Sequence, residues 1–310
     1  MSFAMIFPGQ GSQSVGMLAE LAESAPQVRE TFDEASEALA ADLWRLVQEG
    51  PEEQLNRTEW TQPALLAAGV SVWRVWQAND GSAPVVMAGH SLGEYSALVA
   101  AGALDFADAV RLVQFRGQAM QEAVPEGQGA MAAVLGLDDP QVIEVCGKAA
   151  GDDVVEAVNF NSPGQVVIAG HRAAVERAIK EAEVAGAKRA MLLPVSVPSH
   201  CRLMLPAAEA MARRLAEVEV RVPDIPVVHN FNVAVESDAG GIRDALVAQL
   251  NHAVRWVETI EALQARGAET VVEAGPGKVL SGLNRRIDRR MPALPVFDPA
   301  SLEKALDSLS

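Results

Sequence analysis

Gly89-His90-Ser91-Leu92-Gly93 sets a serine between two glycines. The apolar run Val85–Ala88 leads into it, and the alanine-rich stretch Leu92–Ala101, stopped by Gly102, leads out. A strand, a sharp turn carrying a serine and a helix together form the nucleophile-elbow pattern. Both glycines are needed because Cβ atoms there would collide with neighbouring backbone in a strained turn. The serine is lifted above the sheet, and the helix start behind it offers free N–H groups and a positive dipole end. The spacing therefore predicts a reactive Ser91. A chance match in a chain with 24 glycines is the competing reading, and it leaves the flanking strand and helix unexplained.

A serine becomes a nucleophile near neutral pH only with a base beside it. The candidates are His90, His171, His200, His229 and His252. His90 adjoins Ser91, so its ring is expected to point elsewhere. His171 opens a helix of the inserted segment described below, and His229 follows Val227-Val228 at a strand-end or core position. His252, near a helix end, stays open. His200 closes Val195-Ser196-Val197-Pro198-Ser199-His200, where the chain returns from the insertion. Loops at such junctions line clefts, which makes His200 the strongest single candidate, against the ordinary reading of a lone histidine as structural. No acid stands out between Ser91 and His200, and no histidine follows His252. The Ser…Asp…His order of lipases and esterases is therefore missing.

A third feature is a charge among apolar residues. On a helix over Ala107–Ala123, Val110, Leu112, Val113, Phe115, Gly117, Ala119 and Met120 form one arc at about 100° per residue. Arg111, Gln114, Gln118 and Gln121 take the opposite side, yet Arg116 falls inside the arc. A buried guanidinium without a partner is strongly destabilising. An internal salt bridge, or snorkelling past the helix edge, is one solution. A substrate carboxylate gripped bidentately is the other, and both stay open.

Two further segments carry weaker signals. Phe7-Pro8-Gly9-Gln10-Gly11-Ser12-Gln13 follows the first strand but lacks the G-x-G-x-x-G and Walker lysine patterns. It reads as a tight turn presenting backbone N–H groups, either a second oxyanion donor or a plain turn. Residues 278–290 hold five basic side chains and one acid, Asp288. Lys278, Arg285 and Arg289, spaced by seven and four, are expected on one helical face, as a docking stripe for an anionic partner or as a solvated face.

The elements that must position these groups alternate. Strands are expected at Ala4–Phe7, Val85–Ala88, Val227–Asn230 and Thr270–Glu273, with helices around 16–40, 92–101, 107–123, 205–218 and 241–265. Such alternation argues a mainly parallel α/β sheet. Between them come strand Met131–Leu135, helix Pro140–Ala150, strand Val154–Phe160, turn Asn161–Gly164, strand Gln165–Ala169, helix His171–Ala185 and strand Lys188–Leu193. That β-α-β-β-α-β order is the ferredoxin-like unit. The expectation is a large α/β domain, 1–124 with 197–310, and an inserted small subdomain, 125–196; the alternative is that these strands extend the main sheet.

Composition narrows the classes. A length of 310 residues suits two domains or one large one, and a net charge of −16 argues against nucleic acid or an anionic membrane as partner. No apolar run reaches the length of a bilayer span. Met1–Gly9 lacks the basic region and long apolar stretch of a signal peptide, so a cytoplasmic protein is expected. Cys146 and Cys201 have neither metal-ligand nor disulfide-framework spacing.

Taken in order, F-P-G-Q-G-S-Q, G-H-S-L-G-E-Y, Q-F-R-G-Q-A-M, N-F-N-S-P-G-Q-V-V-I-A-G, V-P-S-H and E-A-G-P-G-K-V-L-S-G-L run through the whole chain. They resemble the bacterial malonyl-CoA:acyl carrier protein transacylases of fatty acid synthesis. The resemblance implies a hydrolase-like core with the ferredoxin-like insertion. It implies Ser91 as acyl acceptor, His200 as base and Arg116 as the partner of the malonyl carboxylate. It also implies the backbone N–H groups of Gln10 and Leu92 as the oxyanion hole. Gln249 is implied to orient the histidine through a backbone carbonyl, which would replace the triad acid. After Gln249 the family often continues Asn-Pro, whereas this chain reads Leu250-Asn251-His252-Ala253. Loss of the proline is expected to loosen that loop and to bring His252 near the site.

The expected activity is ping-pong malonyl transfer from malonyl-CoA to the phosphopantetheine thiol of acyl carrier protein, with no metal or redox cofactor. Docking of the carrier is expected near Lys278, Arg285 and Arg289. A serine thioesterase acting on short acyl-CoA is the enzymatic alternative, and a noncatalytic carrier-docking subunit is the other.

Overall fold

The chain is described by a computed structural model covering residues 1–195 and 197–309. It begins a parallel sheet with β1 (Phe3–Phe7) and β2 (Val86–Gly89). It then leaves for a second sheet of β3 (Gly129–Leu135), β4 (Val155–Ser162), β5 (Gln165–His171) and β6 (Arg189–Leu192). It returns with β7 (Val227–Val228), β8 (Thr270–Ala274) and β9 (Ala293–Val296). The first sheet has the order β7-β2-β1-β8-β9, and every pairing in it is parallel. Helices cover both of its faces, so β1, β2 and β8 are buried at every position and read as continuous runs rather than alternating ones.

Register fixes where chemistry can happen. Phe7 pairs with Gly89, so the loops after β1 and β2 leave the carboxyl edge side by side. Crevices at that edge are where open α/β sheets bind ligands.

The second sheet is antiparallel, in the order β4-β5-β3-β6. Helices Asp139–Ala150 and Arg172–Val184 pack on it around Val134, Val142, Ile168, Val175 and Ala178, a cluster separate from that of the large sheet. The turn expected over Asn161–Gly164 is shorter: Asn161 and Ser162 end β4, and Pro163-Gly164 alone turn the chain, Gly164 at φ +72. Val254 joins the two layers, donating to Val158 O at 2.8 Å and accepting from Phe160 N at 3.0 Å.

Several expected elements are corrected. The helix expected over 16–40 is two, Ala19–Ser24 and Pro26–Leu39. Ala25 between them is extended because a residue before proline is forced out of the helical region. The helix expected over 241–265 divides into Ala239–Ala248 and Trp256–Ala265, since Val254 is pulled onto β4. Helix Thr58–Ala78 was not expected: it is buried nearly all round, so it shows no apolar stripe, and Pro63 sits inside it. Strand β9 and helix Pro299–Leu309 were not expected either. Pro295 reads as a breaker, but β9 is an edge strand, where proline is tolerated.

The basic stripe is also corrected. The helix is Val279–Ile287 only; Lys278 is its N-cap and Arg289 lies beyond its end. Buried Glu273 fixes its start by accepting the N–H groups of Leu280 and Ser281 at 2.9 and 2.7 Å. Asp288 is extended and turns the chain away. Lys278, Arg285 and Arg289 stay exposed but do not share one helical face.

Candidate active site

Ser91 has φ 51, the left-handed backbone that the elbow requires of a non-glycine residue. The flanking glycines meet the steric demand directly. A Cβ on Gly89 would lie 1.9 Å from the carbonyl of Gly93, and one on Gly93 would lie 2.1 Å from Phe7 O. Asn230 ties the turn down. Its Oδ1 accepts the Ser91 N–H at 2.7 Å, and its Nδ2 donates to Gly89 O at 2.8 Å. The buried Glu94 carboxylate in turn accepts Asn230 N–H at 2.9 Å and lies 2.8 Å from His229 Nδ1.

His200 Nε2 lies 2.8 Å from Ser91 Oγ, and His200 Nδ1 lies 2.7 Å from Gln249 O. A carbonyl oxygen can only accept, so Nδ1 carries the proton and Nε2 turns its lone pair toward the serine hydroxyl. Burial, followed by the nearby Arg116 charge, pushes the His200 pKa down to about 3. The imidazole is thus neutral and proton-accepting at ordinary pH. His200 N–H also donates to Leu250 O at 3.0 Å. That bond and the Val254 pairing hold the loop that the missing proline was expected to loosen.

Arg116 is buried in the helix Phe106–Ala123, as its position in the apolar arc implied. Its partners are neutral. Nη1 donates to Gln62 Oε1 at 2.9 Å; Nη2 donates to Gln249 Oε1 at 2.9 Å and to Ser91 Oγ at 3.3 Å. Among the described residues its Nε has no partner, and its guanidinium lies 5.6 Å from the centre of the Tyr95 ring. Among the described residues no carboxylate pairs with it, so the internal salt bridge is not found. Gly117 brings this helix against the start of Thr58–Ala78: a Cβ there would lie 2.8 Å from both Thr58 O and Glu59 Cα.

Ser91, His200 and Arg116 open together into a cavity of about 200 Å³ between the two sheets. Gln10 and Leu92 line it as well, and among the described residues neither of their N–H groups donates to a protein acceptor. Met120, Met131, Val167, Leu193, Val195 and Val197 form its apolar wall. Gln249 is buried beneath, its Nε2 donating to Ser91 O at 3.0 Å. A hydroxyl nucleophile, a neutral base, free N–H donors and a cation in a small cleft can hold an acyl group as a serine ester.

The other histidines stand apart from the Ser91 hydroxyl. His90 Nε2 turns to Asn161 Oδ1 at 2.8 Å, which ties the elbow to β4. His171 accepts from Val154 N–H through Nδ1 at 3.0 Å, and His229 is held by Glu94. His252 is exposed and bonds Ala248 O at 2.8 Å, away from the cavity. The sequence reading missed Gln62, Glu94, Asn161 and Asn230. A glutamine directly ahead of the apolar run 63–70, near the start of its helix, was the one available signal for Gln62.

Fold and cavity define a class, the acyl transferases that work on α/β scaffolds. Residues 4–288 match the family described as acyl transferase domain. The chain is 59% identical over 304 residues to the malonyl CoA-acyl carrier protein transacylase of Salmonella typhimurium, covering 98% of each chain. It is 46% identical over 307 residues to the protein of that name from Bacillus subtilis, covering 99% of this chain and 96% of that one. A crystal structure of an acyl carrier protein S-malonyltransferase from Vibrio cholerae has a TM-score of 0.96 at 57% identity, covering 98% of this chain and 100% of that one. A malonyl-transacylase solved in complex with its type II PKS acyl-carrier protein gives 0.98 at 56% identity, covering 99% and 100%. The chain belongs to the acyl transferase domain family and, within it, to the malonyl CoA-acyl carrier protein transacylases.

Proposed function

We propose that this chain transfers malonyl groups from malonyl-CoA to the phosphopantetheine thiol of acyl carrier protein, supplying fatty acid elongation, through a malonyl ester on Ser91. The observation that carries this reading is Arg116: a buried guanidinium whose partners among the described residues are all neutral, 3.3 Å from the serine oxygen that stands 2.8 Å from a neutral imidazole. Such a cation favours an acyl group that brings its own carboxylate.

In the first half-reaction, His200 Nε2 takes the Ser91 proton as Oγ attacks the thioester carbonyl. The N–H groups of Gln10 and Leu92 receive the oxyanion. Collapse breaks the C–S bond, and the imidazolium returns its proton to the departing CoA thiolate. In the second half-reaction His200 takes the proton of the carrier thiol, whose sulfur attacks the malonyl ester, and Ser91 leaves with that proton. Gln249 O holds the Nδ1 proton throughout. Every step runs through side chains, backbone groups and substrates, so the route calls for no metal or redox cofactor.

The same reading assigns the large domain to residues 1–124 and 197–310, with 125–196 as the small subdomain that closes the acyl cavity. It assigns the protein to the cytoplasm, and carrier docking to the surface near Lys278, Arg285 and Arg289. No helix among the described residues is long and apolar enough to cross a membrane.

Intact mass after mixing with malonyl-CoA tests the reading. The native chain should gain one malonyl group and lose it on addition of carrier protein; Ser91→Ala should gain none. Rapid release of free malonate without carrier would instead favour the thioesterase.

A further inference from the structure

Gln62 touches the site only from behind. It lies in helix Thr58–Ala78, is fully buried and does not line the acyl cavity. Its Oε1 accepts from Arg116 Nη1 at 2.9 Å, and its Nε2 sits 3.6 Å from the sulfur of Met120, which forms part of the cavity wall. Arginine has no acceptor, so the amide can face it in one orientation only. Buried arginines are ordinarily matched by an acid, because an uncompensated charge is costly. Here, among the described residues, both side-chain carbonyls that meet Arg116 belong to amides, Gln62 and Gln249. Glu94, the buried carboxylate nearby, is already taken by His229 and Asn230 N–H.

We propose that Gln62 is a specificity-determining positioning residue: its carboxamide aims Arg116 at the acyl cavity without cancelling its charge, and so makes the enzyme choose acyl groups that end in a carboxylate. The proposal rests on the malonyl-transfer reading above. An acid at this position would satisfy the same N–H equally well and fold equally well, but it would occupy the guanidinium before the substrate arrives. An apolar residue of similar volume would leave Nη1 without its acceptor and the guanidinium less firmly aimed. A residue that merely fills space would affect every acyl donor alike.

The test is Gln62→Glu alongside Gln62→Met, with Ser91 acylation by malonyl-CoA and by acetyl-CoA followed as intact mass, and with melting temperature measured. Gln62→Glu should lower kcat/KM for malonyl-CoA about 30-fold or more, while acetyl-CoA falls less than about threefold and the melting temperature holds or rises. Gln62→Met should lower the malonyl value about tenfold, mainly through KM, again sparing acetyl. Matching losses with both donors, or no loss with either, would overturn the proposal. If the native chain itself gains no malonyl mass, it is the underlying reading that fails, and the two failures are distinct.

Discussion

Gln249 holds His200 by its backbone: the carbonyl oxygen lies 2.7 Å from Nδ1, where a triad enzyme would place a carboxylate. A carbonyl fixes the tautomer and ring orientation without bringing a charge into a buried site. Because the holding atom is main chain, a side-chain substitution leaves it in place. His200→Ala should slow Ser91 acylation by about 10²- to 10⁴-fold while malonyl-CoA binding stays within a few fold. Gln249→Ala keeps the carbonyl and loses only the bonds to Arg116 and Ser91 O, so a loss of about tenfold is expected. Acylation rates of the two variants, measured side by side, check this. Equal damage would mean that the side chain, not the carbonyl, positions the histidine.

The His200 pKa of about 3 sets the pH dependence. Protonation removes the base, so a depressed value preserves activity as pH falls, and the acid limb should appear only on approach to that value. For kcat/KM, which reports the free enzyme, no limb near the ordinary histidine value of about 6.5 is expected. Burial is the larger cause and the Arg116 charge the next. Arg116→Ala removes the second cause, raises the pKa and moves the limb to higher pH. Acylation kinetics from about pH 5 to 8 show whether a native limb stands near 6.5, and extending them on both proteins down to about pH 3.5 shows whether the variant's limb has moved up. A native limb near 6.5 would contradict the buried, neutral imidazole.

Gly117 offers a steric test. Alanine is the better helix former by up to about 1 kcal/mol, yet a Cβ there would stand 2.8 Å from Thr58 O and Glu59 Cα. Overpacking of that kind costs about 1–3 kcal/mol, so sterics should win. Gly117→Ala should lower the melting temperature and weaken malonyl-CoA acylation by separating Arg116 from Gln62. Gly147→Ala, in helix Asp139–Ala150 with open space around its Cβ, should be neutral or stabilising. If both variants gain stability, the close approach is not a constraint.

Legibility followed the range of the interactions. The elbow could be read because its glycines, strand and helix are contiguous, and Arg116 because a helical period exposes a misplaced charge. The β-α-β-β-α-β order gave the small antiparallel sheet. Gln62 and Asn230 were invisible because their amides act on Arg116 and Ser91, 54 and 139 positions away. Helix Thr58–Ala78 was missed for the reason that makes it useful: buried on nearly every side, it lacks the polar face that marks a helix. The basic stripe was drawn too long because spacing by seven and four assumes an unbroken helix, and Asp288 ends this one.

Carrier docking should separate the two half-reactions. Arg285 and Arg289 are exposed, one on the helix Val279–Ile287 and one just past it, and both stand apart from the acyl cavity. Charge reversal at both should raise the KM for carrier protein about tenfold and fade with salt, leaving acylation by malonyl-CoA unchanged. Slowing of both steps together would signal structural damage and dismiss the surface.

Arg116→Ala asks what the buried charge is for. Among the described residues its hydrogen-bond partners are two amide oxygens and the serine hydroxyl, with Nε left without one. No internal ion pair is lost with it, so removal need not destabilise the fold through a stranded acid. Deletion removes a desolvated charge but strands the buried Gln62 and Gln249 oxygens and opens a cavity. A modest fall in melting temperature is therefore expected, its effect shared by both donors. The loss should fall on the donor whose carboxylate completes the coordination. A charge-assisted bidentate contact in a largely dry cleft is worth about 2–4 kcal/mol, or roughly 30- to 1,000-fold in kcat/KM for malonyl-CoA. Acetyl-CoA presents a methyl group where malonyl presents its carboxylate, so its transfer should hold or improve once the desolvated charge is gone. Measuring kcat/KM for both donors together with the melting temperature decides the matter. Parallel losses with the two donors would make Arg116 a structural residue and sink the carboxylate clamp.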